Sequence, residues 1–187
     1  MKQEIITDWR IGMSRTRKML SDWEAPYIQS LMKLIKTQSK ETLATWAVDY
    51  SEHVILPLWS KYYPDDLRPQ NALNAAREWL SGSIKLPQAK KMILECHAAA
   101  RETDGNPVAQ AAARTVGQCA STIHSAQHCI GLAFYGAIAV AYDRLGTDVS
   151  WGQIEQCAAE ECGRMEAALR AVAVENELNP AKIDWKC

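Results

Sequence analysis

The segment from Asn106 to Gly146 limits what this chain can fold into more than any other. Asn106-Pro107 is a helix start. An asparagine side chain accepts hydrogen bonds from first-turn amides, and a proline at the first helical position gives up an amide that has no partner anyway. Apolar and small residues then recur at helical spacing to about Arg144, and Gly146 supplies a stop. One globular helix is rarely so long, so a kink or break is expected between Gly117 and Ser121. The longest apolar run, residues 129–142, lies inside this segment between His128 and Asp143. It falls short of the ~20 residues a bilayer span needs and reads as a buried core helix.

The rest of the chain carries the same punctuation. Ser21-Asp22-Trp23-Glu24 has the form of a capping box, with Ile28, Leu31, Met32 and Ile35 behind it at helical spacing. Ser39 is the next N-cap, followed by a stripe of Leu43, Trp46, Ala47, Tyr50, Val54 and Leu58. Pro57 should bend that helix or mark its last turns. A connector, residues 63–69, leads into a third helix opened by Pro69 and ended by Gly82, and Pro87 opens a fourth that runs to about Glu102. Ser150-Trp151-Gly152-Gln153 is a second capping box, whose helix ends before Pro180. Sustained period-two alternation and hairpin turns are missing. The expectation is an all-α, single-domain helical bundle of six or seven helices. Residues 1–20 read as a lead-in, mobile in part, and residues 21–187 as the helical domain. Trp46, Trp59, Trp79 and Phe134 are expected to anchor the core.

Charge narrows the function. The net charge is -1, so the chain lacks the basic excess of a dedicated nucleic-acid binder. Its one basic cluster, Lys2, Arg10, Arg15, Arg17 and Lys18, reads as a solvated lead-in. The start from Met1 to Asp8 is too polar for a secretory leader, which points to the cytoplasm. The six cysteines include no Cys-x-x-Cys and are expected to be thiols that pack as small apolar residues. Signatures of serine hydrolases, P-loops and dinucleotide folds do not occur.

A few polar residues stand out. His124 and His128 are four apart, so on one helix their rings would share a face and offer two ligands to a divalent metal such as zinc. A third ligand would come from elsewhere, with His97, Glu78 and Asp143 suitable by type. The competing reading is structural: Gly117, Ser121, His124, His128 and Gly131 form a small polar stripe that admits a neighbouring helix. His97 and Arg101, also four apart, would repel if both were charged. Either His97 is neutral or the two share an anionic partner, from Glu78, Asp65 or Asp66 or from a ligand. Asp65 and Asp66 precede the third helix, where negative charge suits the helix dipole, with Arg68 and Arg77 nearby. They form either a cap with local ion pairs or a charged surface shown to a partner.

Several of these segments resemble the immunity-5-like family of bacterial immunity proteins. The resemblance lies in residues 63–69, in Ala72, Ala76-Arg77 and residues 79–82, in residues 97–101, and in residues 111–114 with Gly117, Thr122, His124 and His128. It spans about residues 43–142. In the family's segments a histidine follows Gly117, whereas here Gln118 stands there, which would weaken any family metal cluster built on that position. The resemblance implies an all-helical, cytoplasmic, non-enzymatic protein without a cofactor that binds and neutralises a toxin of the same cell. The expected partner surface includes Asp65, Asp66, Arg68, Arg77, His97 and Arg101. The alternative is a metal-binding helical protein, even a metal-dependent hydrolase, using His97, His124 and His128. A third possibility is a homo-oligomer joined through the Ala/Gly stripe.

Overall fold

A computed structural model describes residues 16–103 and 105–185. Among these residues there are seven helical rods and no strand. They are α1 (Pro26–Ile35), α2 (Lys40–Tyr50) continuing through a π turn (Ser51–Ile55) into α3 (Leu56–Ser60), α4 (Arg68–Leu80) and α5 (Leu86–Glu102). After them come α6 (Pro107–Ser121), α7 (Ala137–Leu145) entered through a 3-10 turn (Ala126–Ile130) and a π turn (Leu132–Gly136), and α8 (Trp151–Val172).

Local chemistry sets most of the boundaries. The side chains of Ser39, Asn106 and Ser150 accept from Thr42, Ala109 and Gln153 amides, so all three act as N-caps. Gly82 and Gly146 take positive φ, +78° and +73°, after α4 and α7. The capping box at Ser21 is not used. Pro26 opens α1 instead, and it holds Ala25 in extended backbone (φ -54°, ψ 131°), because the residue before a proline is barred from helical geometry. Pro57 marks the last turn of its rod, which ends at Ser60. It has no amide to offer the carbonyl of His53, and the preceding turn widens to π register, with the Leu56 amide on the Ser51 carbonyl.

α6 is the central rod and packs against α2, α3, α4, α5 and α7. Its alanines make this possible: Ala109, Ala112, Ala113 and Ala120 are fully buried and let five neighbours approach one axis. Trp46, Trp59 and Phe134 fill the remaining space as expected, each worth about 1.5–3 kcal/mol of burial. Trp79 departs from that expectation. It is only partly buried, with the Lys40 ammonium 5.5 Å above its ring. The apolar run 129–142 is core throughout except the half-buried Tyr135.

The expected break in the long segment falls just past the predicted window. α6 ends at Ser121, and Thr122 to Ser125 turn the chain before the 3-10 turn begins. Five cysteines are buried, unpaired thiols, and Cys187 lies outside the described residues. Residues 1–15 of the lead-in, including Lys2, Arg10 and Arg15, also lie outside them. Arg17 to Leu20 is held in place. The Tyr142 hydroxyl donates to the Arg17 carbonyl at 2.9 Å, the Leu20 amide donates to the Phe134 carbonyl at 2.9 Å, and Arg17 covers the Trp151 ring at 4.0 Å. No helix among the described residues is long and apolar enough to cross a membrane.

Candidate functional site

The connector between α3 and α4 is a braced loop. The Trp59 indole donates to the Asp66 carbonyl at 2.8 Å, and the Tyr63 ring stacks on Trp59 at 4.7 Å. Arg68 closes a fork on the Asp66 carboxylate, with Nε at 2.9 and 3.1 Å from its two oxygens and Nη2 at 2.7 Å from Oδ2. The same Nη2 lies 2.7 Å from Oε2 of Glu102 at the end of α5. These bonds hold the Asp66 carboxyl below the usual carboxylate range and keep the Arg68 guanidinium firmly charged. Arg68 and Asp66 therefore satisfy each other. The groups left outward are Asp65, Tyr62 (41% exposed) and Leu67 (58% exposed), around an open groove of about 680 Å³.

Arg77 stands apart from this loop. It pairs with Asp49 and Glu52 and ties α4 to the end of α2 and its π turn. Burial lowers its proton affinity, but the two carboxylate bonds outweigh that and raise it. Arg77 thus bridges α4 to α2 and its π turn instead of joining the Asp66–Arg68–Glu102 pairs.

The structure does bring His97, His124 and His128 together, although not as sequence spacing implied. His124 lies in the turn after α6 and His128 in the 3-10 turn, so no single helix face carries them. Their rings meet edge-on at 5.3 Å. His128 Nδ1 is 2.7 Å from Gln118 Oε1, so in the neutral ring Nδ1 carries the proton that Gln118 accepts. The Nδ1 of His124 is buried without a hydrogen-bond partner. The His97 ring lies flat against Gly117, where a Cβ would come within 2.6 Å of Cε1. Burial comes first in lowering the proton affinity of all three rings. For His97, Arg101 and His128 add to it, and for His124, His128, Lys90, Lys40 and His97 do. The rings are neutral at pH 7. Among the described residues no ion pair joins His97 or Arg101 to a carboxylate.

This geometry bears on the metal and oligomer readings. Among the described residues no group of three His, Cys, Asp or Glu side chains is placed to hold a metal ion. Gln118 occupies the ring nitrogen of His128 that faces it, so that nitrogen is committed to a protein bond. The small stripe is used internally: Gly117 faces His97, Gly131 faces Gln118, and Gly136 faces Thr115 and Ile55. The fourth histidine, His53, is exposed on the first π turn and bonded to the Asp49 carbonyl.

One polar centre, Glu161, was placed by its spacing on the apolar side of the last helix without being singled out as a site. Glu161 is 1% exposed, and it accepts from the Tyr50 hydroxyl at 2.6 Å and Arg164 Nε at 2.7 Å, with Arg144 at 3.6 Å. Burial, then the bond to Glu161, push the Tyr50 hydroxyl well above its ordinary value. The available signal was a glutamate falling on the apolar stripe of α8 with Cys157 and Met165. The cluster pins α2 to α8.

These features define a class: an all-helical scaffold that shows charged and apolar side chains on a braced connector and encloses its ionisable core groups. The chain belongs to the family described as Imm-5 like putative immunity protein, whose model matches residues 33–168. That span is wider than the resemblance in residues 43–142, and it takes in α2 through most of α8. Neither a curated protein nor a solved structure matches the chain significantly.

Proposed function

We propose that this protein binds a toxin of the bacterial cell that makes it, and neutralises the toxin by direct contact through the connector face. The observation that carries this reading is the pair Tyr62 and Leu67, left exposed on a loop otherwise fixed by Trp59, Asp66 and Arg68. Interfaces take their energy from a few aromatic and aliphatic anchors, and a braced loop loses little entropy on docking. Family membership supports a protein partner. Asp65 at the rim supplies charge for orientation and encounter.

The test is capture of the tagged full chain, gently cross-linked in its native host, followed by quantitative binding. The expected result is one stoichiometric partner with a toxin domain, whose affinity falls at least tenfold, about 1.4 kcal/mol, in Tyr62→Ala/Leu67→Asp. Repeated captures without a stoichiometric partner would overturn the reading. A toxin bound equally well by the double variant would remove the connector from it.

A further inference from the structure

We infer that the outer face of α5 docks an acidic segment of a protein partner. The inference rests on the binding reading above and gives the partner its chemistry. Lys90, Leu94, His97 and Arg101 follow one another at steps of four, three and four, so they line one stripe of α5. Lys90 and Arg101 are exposed, and Leu94, between the cations, is 66% exposed. Leu94 is thus available to a partner rather than to the core. The neighbouring turn adds His124, and α2 adds Lys40, which lies over the Trp79 ring.

The charges that act most strongly on the two imidazoles are all cationic. They are Arg101 on His97, and Lys90 and Lys40 on His124; the neighbouring imidazoles add to both only as they become protonated. Carboxylates are not among them, and the neighbouring acid Glu102 is turned to Arg68. This face is thus a cationic rim around one apolar side chain. An acidic polypeptide bearing an apolar residue supplies every complement. A nucleic acid would leave Leu94 unmatched.

The experiment records imidazole spectra of the full chain, labelled at histidine, during pH titration at low salt. Poly-L-glutamate is the probe, with a DNA duplex of equal charge in parallel. The expected result is a rise of about half a pH unit in the His97 and His124 midpoints with poly-L-glutamate, since a nearby anion favours the charged ring. The rise should vanish in Lys90→Ala/Arg101→Ala and in 1 M salt. No rise, an equal rise in the double variant, or a larger rise with DNA would each overturn the inference. The two readings fail separately. A captured toxin lost in Tyr62→Ala/Leu67→Asp, yet bound normally by Lys90→Ala/Arg101→Ala and Leu94→Asp, would refute the α5 face alone. Poly-L-glutamate binding at α5 with no toxin ever captured would refute the toxin reading alone.

Discussion

Gly117→Ala asks whether one imidazole sets the approach of α5 to α6. A Cβ at residue 117 would lie 2.6 Å from Cε1 and 2.7 Å from Nδ1 of His97. Carbon atoms in good contact sit about 3.5–4.0 Å apart, so the ring must retreat by about 1 Å. Such overpacking costs about 1–3 kcal/mol. Alanine within a helix regains about 1 kcal/mol over glycine. The single variant should therefore lose about 0–2 kcal/mol. In a His97→Ala background the obstacle is gone, and the same substitution should gain up to about 1 kcal/mol. The coupling energy is then about 1–3 kcal/mol, read from urea midpoints at pH 7.5, where His97 is neutral, with the m-value unchanged. Equal effects of Gly117→Ala in both backgrounds would refute the reasoning. Gly131→Ala supplies the contrast. Its Cβ meets Cβ of Gln118 at 2.5 Å, an atom fixed to the α6 backbone that cannot swing aside. Its cost should lie near the upper end, about 3 kcal/mol, and Gln118→Ala should not rescue it, because that Cβ remains.

Three further outcomes follow from the same geometry. The three clustered histidines bind protons less readily when folded than at the usual value of about 6.5, so the unfolded chain takes up more protons below it. Their contribution is full above pH 6.5 and is lost as pH falls below it. Urea midpoints should drop between pH 7.5 and 5.5, and less so in His124→Gln. Glu161→Ala leaves the Tyr50 hydroxyl and Arg164 without their acceptor, at about 2–3 kcal/mol, or about 4–12 °C in a thermal melt. Burial pushes the Cys96, Cys119 and Cys162 thiols up to about 12, and Cys129 higher than its ordinary value. Mass spectrometry after maleimide treatment should find these four unmodified in the native protein and modified in urea.

The connector and the α5 face share one arrangement. Asp66, Arg68 and Glu102 satisfy one another and fix the frame, while Tyr62, Leu67, Leu94, Lys90 and Arg101 remain outward. A binding protein needs that division: charged pairs that hold shape, and unpaired groups that meet a partner. Arg77, expected at this surface by its closeness to Arg68 in sequence, is spent on Asp49 and Glu52.

By itself the sequence determined the helical class and most helix ends. Ser39, Asn106 and Ser150 cap, Pro87 and Pro107 open, and Gly82 and Gly146 close, because these effects act within one turn of chain. It also determined the apolar core run and the motifs by which the family is recognisable. The tertiary structure decided what distant residues do to one another. Ser21 lost its cap to Pro26, and the turn before Pro57 took π register as the rod neared its end at Ser60. His124 and His128 met after the helix that should have carried both had ended, and His97 joined them only because Gly117 lets α5 approach. Tyr50, which bonds Glu161, and the partners of His128 and Arg77 lie far along the chain or on other rods, and no local spacing encodes which rods will touch.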